Sequence, residues 1–249
     1  MLNLKRDRST PLYTQLKNVI EEKIKAGEWE PEQQIPSERE LGKEYAVSRI
    51  TVRQAIDLAV NEGLLYRTHG KGTFVATPTI KQELSKVDSF QSTLSQQGLV
   101  ASTDIVKAEM AVTDLQLSTL LNVEMMDRLY NLQLVGYGDE LPIVFYDSFF
   151  PVDVGEQVTE AARKEKEAGR PFTTLDLYKN IPDIAPTHSK QTFESVLADE
   201  RIAKVLKLDE VTPIFKVTSI IYMGERAIEY RTSYYKGDKY KFFITRSIQ

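Results

Sequence analysis

Between Ser37 and Gly63 the sequence carries two short helix patterns, each with its own start signal and separated by only a few residues. Ser37 and Glu40 stand at the S-x-x-E spacing of a capping box, in which each side chain satisfies an orphan amide of the first turn. Leu41 and Tyr45 supply the buried side of this helix, Ala46-Val47 makes a turn, and Ser48 is a second N-cap. Val52, Ala55, Ile56, Ala59 and Val60 then recur at helical spacing until Gly63 stops the run. Two short helices about a tight turn leave few folds open, and the expectation is a helix-turn-helix.

Arg49, Thr51, Arg53 and Gln54 fall off the buried face at the start of the second helix. That end of a recognition helix enters the major groove, where hydroxyl, guanidinium and carboxamide groups read base edges or grip phosphates. The same residues would also serve as the solvated face of a core helix, and spacing by itself leaves both readings open. The flanking segments narrow the choice. Pro11 to Ala26 places Leu12, Leu16, Val19, Ile20 and Ile24 on one face of a preceding helix that Gly27 ends. Downstream, Leu64–Arg67 and Thr73–Val75 read as strands around His69-Gly70-Lys71-Gly72, whose glycines suit a hairpin turn with positive φ. This predicts a basic-tipped wing. The turn lacks the spacing of a nucleotide-binding phosphate loop and opens no helix.

Net charge is −4, which by itself argues against a nucleic-acid partner, yet the charge is unevenly spread. Residues 1–76 hold 12 basic and 11 acidic side chains, and the remainder holds 20 and 25. Arg39, Lys43, Arg49, Arg53, Arg67 and Lys71 cluster within the predicted DNA-binding segment, and a local basic face suffices for DNA. The chain has no cysteine, which removes disulfides, thiolate metal sites and cysteine nucleophiles. Its two histidines cannot assemble a multi-histidine site within one chain, so neither a metal nor a cofactor is expected. No apolar run is long enough to span a bilayer and no signal-peptide pattern opens the chain, so the expected setting is the cytoplasm, away from membranes.

Ser37-Glu38-Arg39-Glu40-Leu41, Val47 to Ala55, Glu62-Gly63-Leu64-Leu65 and Gly70-Lys71-Gly72-Thr73-Phe74-Val75 together resemble the GntR family of bacterial regulators in order and spacing. The resemblance implies that Arg39, Arg49 and Arg53 contact an operator, with Ser48, Thr51 and the wing at His69, Gly70 and Lys71 assisting. The expected organisation is a DNA-binding domain over 1–76, a linker over 77–84, and an effector-binding and dimerisation domain over 85–249.

The second segment mixes patterns. Leu129–Tyr137, Pro142–Phe150, Ile214–Met223 and Ala227–Tyr235 read as strands, and Asp114–Leu121, Val154–Glu167 and Asp199–Leu206 as helices, with a loop over Pro182–Pro186. An α+β domain on an antiparallel sheet follows. Asp88-Ser89-Phe90 with Gly98-Leu99, then Leu141-Pro142-Ile143, and the ending Glu229 to Tyr240 resemble the sensing (UTRA) domain of the HutC branch, related in fold to chorismate lyase. The resemblance implies a cleft lined by Ser89, Phe90, Thr173, Thr174, Glu229 and Tyr235, while the aromatic run Phe145, Tyr146, Phe149 and Phe150 reads as core, with Tyr146 able to face the cleft. It would also place Asn131 and Gln133 where several phosphate-sugar sensors carry two arginines, a departure that weakens phosphate binding.

The sequence thus predicts a homodimeric regulator, expected to be a repressor, that binds an inverted-repeat operator in double-stranded DNA. A small metabolite, whether a sugar, a sugar phosphate or an organic acid, would order the segment from Asp88 to Gly98 and weaken that binding. No nucleophile, base and orienting group assemble at recognisable spacing, so an enzyme is not expected despite the lyase-like fold. An architectural DNA binder without an effector is the other alternative.

Overall fold

Pro11 occupies the N-cap of α1 (Leu12–Lys25), where its missing amide costs nothing and its carbonyl accepts from Thr14 and Gln15 at 3.0 and 3.1 Å. The apolar stripe of α1 buries Leu16, Val19 and Ile20. Helix α2 (Glu38–Glu44) opens with the complete capping box: Ser37 accepts from the Glu40 amide, and the Glu40 carboxylate accepts from the Ser37 amide at 2.8 Å. Ala46 then adopts a left-handed φ of 52°, and the Val47 amide returns to the Gly42 carbonyl at 3.1 Å. That sharp turn delivers the chain into α3 (Arg49–Asn61), which packs across α1. Leu16, Leu41, Val52, Ala55 and Ala59 are wholly buried in this unit's core, and Ile20, Ile56 and Trp29 are nearly so. At about 1.5 to 3 kcal/mol for each large apolar side chain removed from water, this cluster holds the helix-turn-helix in shape.

The wing follows as β1 (Leu65–Thr68) and β2 (Gly72–Val75), antiparallel with Leu65 opposite Val75. Its turn requires glycine twice. Gly70 and Gly72 have φ of 73° and 130°, and a side chain at Gly72 would strike the Gln34 carboxamide.

The computed structural model describes residues 10–77, 79–84, 89–208 and 211–247, and contacts divide the chain into units 1–79 and 80–249. The expected linker, 77–84, therefore does not hold over its second half. Ile80–Glu83 is β3, its Ile80 buried in the second unit's core, and it runs parallel to β10 (Tyr240–Phe243) in a two-stranded sheet.

The second unit is built on a six-stranded antiparallel sheet in the order β4-β5-β6-β9-β8-β7. Its strands are β4 (Ala101–Val112), β5 (Arg128–Gly138), β6 (Leu141–Pro151), β7 (His188–Leu197), β8 (Pro213–Met223) and β9 (Arg226–Lys236). One face carries α4 (Phe90–Ser95), α6 (Val152–Glu167) and α7 (Thr174–Tyr178) over Leu132, Leu134, Val144, Tyr146, Phe150 and Val217. Helix α6 lies so close to the sheet that a side chain at Gly155 would overlap Tyr130. The other face is covered at two places, by α5 (Leu115–Leu121) over Leu129 and Ala227, and by α8 (Glu200–Leu206) over Val135, Phe145 and Ile214. The expected antiparallel α+β architecture is the one observed. Among the described residues, no helix is long and apolar enough to cross a membrane.

Candidate functional site

In the first unit, capping places the polar groups. The Ser48 hydroxyl accepts from the Thr51 amide at 3.1 Å and lies 2.8 Å from the Thr51 hydroxyl, so both first fix the N-terminus of α3. Arg49, Arg53 and Gln54 are exposed on that helix, and Arg39 on α2. Ion pairing separates the cations. Arg67, which the sequence groups with the others, is held by Asp57 at 2.5 Å with Glu38 at 3.9 Å, and Lys17 is held by Glu21 and Glu62. Arg39, Lys43, Arg49, Arg53 and Lys71 have no ion pair among the described residues. The unpaired cations, not the total, make the basic face.

His69, Gly70 and Lys71 form the exposed tip of the wing, with the Lys71 carbonyl held by the Gln34 side chain at 2.9 Å. One residue of this surface escaped the sequence argument. Ile50 is 72 % exposed between Arg49 and Thr51, an apolar side chain open to solvent at the N-terminal end of α3. Its position off the Val52, Ala55, Ile56 stripe was the signal.

The second unit holds a cavity of about 110 Å³ between the sheet, α4 and the β3–β10 ribbon. Phe90, Tyr146, Thr173 and Tyr235, expected in a ligand cleft, do line it. Arg231, Thr93, Gln191 and Tyr240, not expected there, line it too. Ser89 instead caps α4, accepting from the Ser92 amide at 3.1 Å. The segment expected to be a mobile entrance, Asp88 to Gly98, thus contains a helix, while Asp88 itself lies outside the described residues.

Two expected cleft residues require correction. Leu134 pairs with Tyr146, and side chains alternate along a strand, so Asn131 and Gln133 project from the opposite face of the sheet. There Asn131 donates to Asp147 at 2.8 Å, Gln133 donates to the same oxygen at 3.2 Å, and Arg201 pairs with Asp147 at 2.9 Å. The positions of β5 on the cavity side carry Leu132 and Leu134.

Glu229 and Thr174 also lie behind the cavity wall, both buried. The Glu229 carboxylate accepts from the hydroxyls of Ser148 at 2.8 Å, Thr174 at 2.8 Å and Tyr178 at 2.9 Å. Burial, reinforced by this carboxylate, pushes the Tyr178 phenol well above its ordinary pKa. The Arg231 guanidinium stands 3.9 Å from Glu229, with Nη1 donating to Thr174 Oγ1 at 2.6 Å and Cζ 5.8 Å from the Tyr146 ring centre. Burial works against its charge, but Glu229, Tyr235 and Tyr146 outweigh it and hold its pKa above the ordinary value. Its Nε is buried without a partner. His188 and Lys190 are exposed, His188 stacked on Tyr222 and Lys190 over the same ring.

A capped helix-turn-helix with unpaired cations and a glycine-turned wing, followed by a separate sheet domain, define a two-domain transcription regulator of winged helix-turn-helix type. Residues 12–75 match the model of bacterial regulatory proteins of the gntR family, and residues 96–241 match the UTRA domain. The chain belongs to the GntR family, in its UTRA-containing HutC branch, and is a transcription regulator rather than an enzyme. It is 27 % identical over 242 residues to the HTH-type transcriptional repressor NagR of Bacillus subtilis, covering 97 % of each chain. It is 30 % identical over 209 residues to the uncharacterized regulator YurK of the same organism, covering 84 % of each. The crystal structure of PhnF from Mycobacterium smegmatis superposes with a TM-score of 0.72 at 26 % identity, over 95 % of this chain and 99 % of that one.

Proposed function

We propose that this regulator is a repressor that binds an inverted-repeat operator as a homodimer and releases it when a small metabolite fills the cavity of the second unit. Each subunit sets the N-terminal end of α3 into a major groove, with Arg49, Arg53 and Gln54 reading bases and Arg39 and Lys71 gripping phosphates. Ser48, Thr51, His69 and Gly70 hold and complete that surface. The observation that carries this reading is the set of exposed, unpaired cations on α2, α3 and the wing beside an Arg67 tied into ion pairs. Support for release by a metabolite comes from the UTRA match and from the cavity. Relatives such as NagR, described as a repressor, support the direction of regulation.

One recognition helix per chain calls for two copies on a symmetric site, with half-sites about one helical turn, roughly 10 base pairs, or a multiple of it apart. The second copy is assigned to β7, an edge strand exposed on both faces along most of its length. Paired antiparallel with itself about Thr192, it sets Lys190 opposite Glu194 of the partner subunit, twice by symmetry.

The test is a fluorescence-anisotropy titration of the operator with and without metabolites that stabilise the protein. Release requires different affinities of the ligand for the bound and free states. A stabilising ligand of the cavity that leaves operator affinity unchanged refutes the regulatory reading.

A further inference from the structure

We propose that Ile50 sets a base preference of the operator by packing against the 5-methyl group of one thymine in each half-site. This contact rests on the placement of α3 in a major groove under the proposed function, and adds an apolar selection to the polar contacts assigned there.

Three observations point to it. The first is direction. At 3.6 residues per turn, each residue advances about 100° around a helix. The buried stripe of α3, Val52, Ala55, Ile56 and Ala59, is therefore centred about half a turn from Ile50, which stands on the line of the helix farthest from the core. Arg53 and Gln54 follow at i+3 and i+4 on the same outward face, both exposed. A surface that meets Arg53 and Gln54 meets Ile50 one turn nearer the N-terminus, the end of a recognition helix that reaches base edges.

The second is that folding does not account for the residue. Ile50 is 72 % exposed, and no other large apolar side chain among the described residues of the first unit is exposed. A β-branched side chain is a poorer helix former than a straight one, and here burial does not compensate for it. Its place is nonetheless fixed, because the Ser48 hydroxyl accepts from the Thr51 amide at 3.1 Å and holds the first turn.

The third is the chemistry of the partner. Arg49 and Arg53, on either side of Ile50 in the sequence, have no ion pair among the described residues. A second copy of this chain laid on the same face would set like charges together, whereas DNA brings phosphates. Among the groups that the four bases present in the major groove, the thymine 5-methyl is the apolar one. Isoleucine has no donor or acceptor for the others and would only strip them of water, so thymine is the base it fits.

The test replaces thymine by uracil, which lacks the methyl group and keeps every hydrogen-bonding group. Each thymine of the duplex that the full chain enriches from a random pool is replaced in turn, and affinity is read by fluorescence anisotropy. One position should weaken binding about fourfold when replaced in one half-site and about fifteenfold when replaced in both, the loss of one buried methyl contact each time. Ile50→Ala should bind the thymine and uracil duplexes equally, and Ile50→Val should keep part of the difference. A native chain indifferent to every replacement, or an enriched site without thymine, overturns the contact, and the native chain decides this whatever the variants do. Equal sensitivity in the native chain and Ile50→Ala overturns it too, because another residue then meets the methyl. Indifference to uracil with weakened binding by Arg49→Ala removes Ile50 alone and leaves α3 as the reading helix. Indifference to uracil with Arg49→Ala and Arg53→Ala both binding like the native chain, or no enriched duplex at all, refutes the placement of α3 and the Ile50 contact with it.

Discussion

Replacing Glu229 by alanine removes a carboxylate that is 0 % exposed and accepts hydrogen bonds from Ser148, Thr174 and Tyr178 beside Arg231. The substitution leaves the guanidinium buried and three hydroxyl donors without their acceptor. Removing one partner of a buried pair costs about 3 to 5 kcal/mol. Within that range the three lost acceptor contacts account for about 1 kcal/mol each and the ionic part, weakened by the 3.9 Å separation, for about 1 more, so about 4 kcal/mol is expected. With a urea m-value of about 2 kcal/mol/M, this lowers the unfolding midpoint by about 2 M. The assay is urea unfolding followed by far-ultraviolet circular dichroism, which is dominated by the sheet unit. Trp29 lies in the core of the first unit, so its fluorescence transition should not move with the sheet. Glu229→Gln keeps an acceptor for the hydroxyls and should cost about half as much. A loss below about 1 kcal/mol for Glu229→Ala would show that this carboxylate is reached by water, and would refute its role as the buried support of Arg231.

The other expectations concern surfaces. Lys71→Ala removes an unpaired cation from the wing and should lower the slope of log affinity against log salt by about one while leaving sequence preference intact; an unchanged slope removes the wing from the phosphate contacts. Ile50→Ser, at a position 72 % exposed, should leave folding unchanged within about 0.5 kcal/mol and relax selection at one thymine, seen by selecting sites from random duplexes; identical selected sites would remove Ile50 from the interface. Lys190→Glu should set like charges opposite each other across paired β7 strands and weaken the dimer in sedimentation, with Glu194→Lys in the same chain restoring it; a dimer indifferent to both changes places the second copy elsewhere.

The first unit was legible because its information is local. The Ser37–Glu40 box, the Ser48 cap and the wing glycines are decided within a few residues, and each fixes the backbone where the sequence placed it. Helices α5 and α8 were legible for the same reason, starting at the N-caps Asp114 and Asp199. What failed was set by partners distant in sequence. The linker gave up Ile80–Glu83 because Tyr240–Phe243, some 160 residues away, offers it a strand to pair with. Asn131 and Gln133 were misplaced by one strand position, which is enough to exchange the faces of a sheet. Arg231 carried no local signal in the sequence, because Thr174, Tyr146 and Glu229, the residues that bury and hold it, converge only through β6, β9 and α7. Charge counting also had to yield to pairing, since Arg67 is paired with Asp57 and does not stand among the unpaired cations.

The central claim is that α3 and the wing form a sequence-reading surface. Selection of bound duplexes from a random pool by the full chain tests it most directly, followed by affinity measurement on the enriched site. The native chain should enrich an inverted repeat, and Arg49→Ala and Arg53→Ala should each weaken binding to it by about 1 to 3 kcal/mol. Failure to enrich any repeat, or equal affinity of both variants and the native chain for the enriched site, would contradict it.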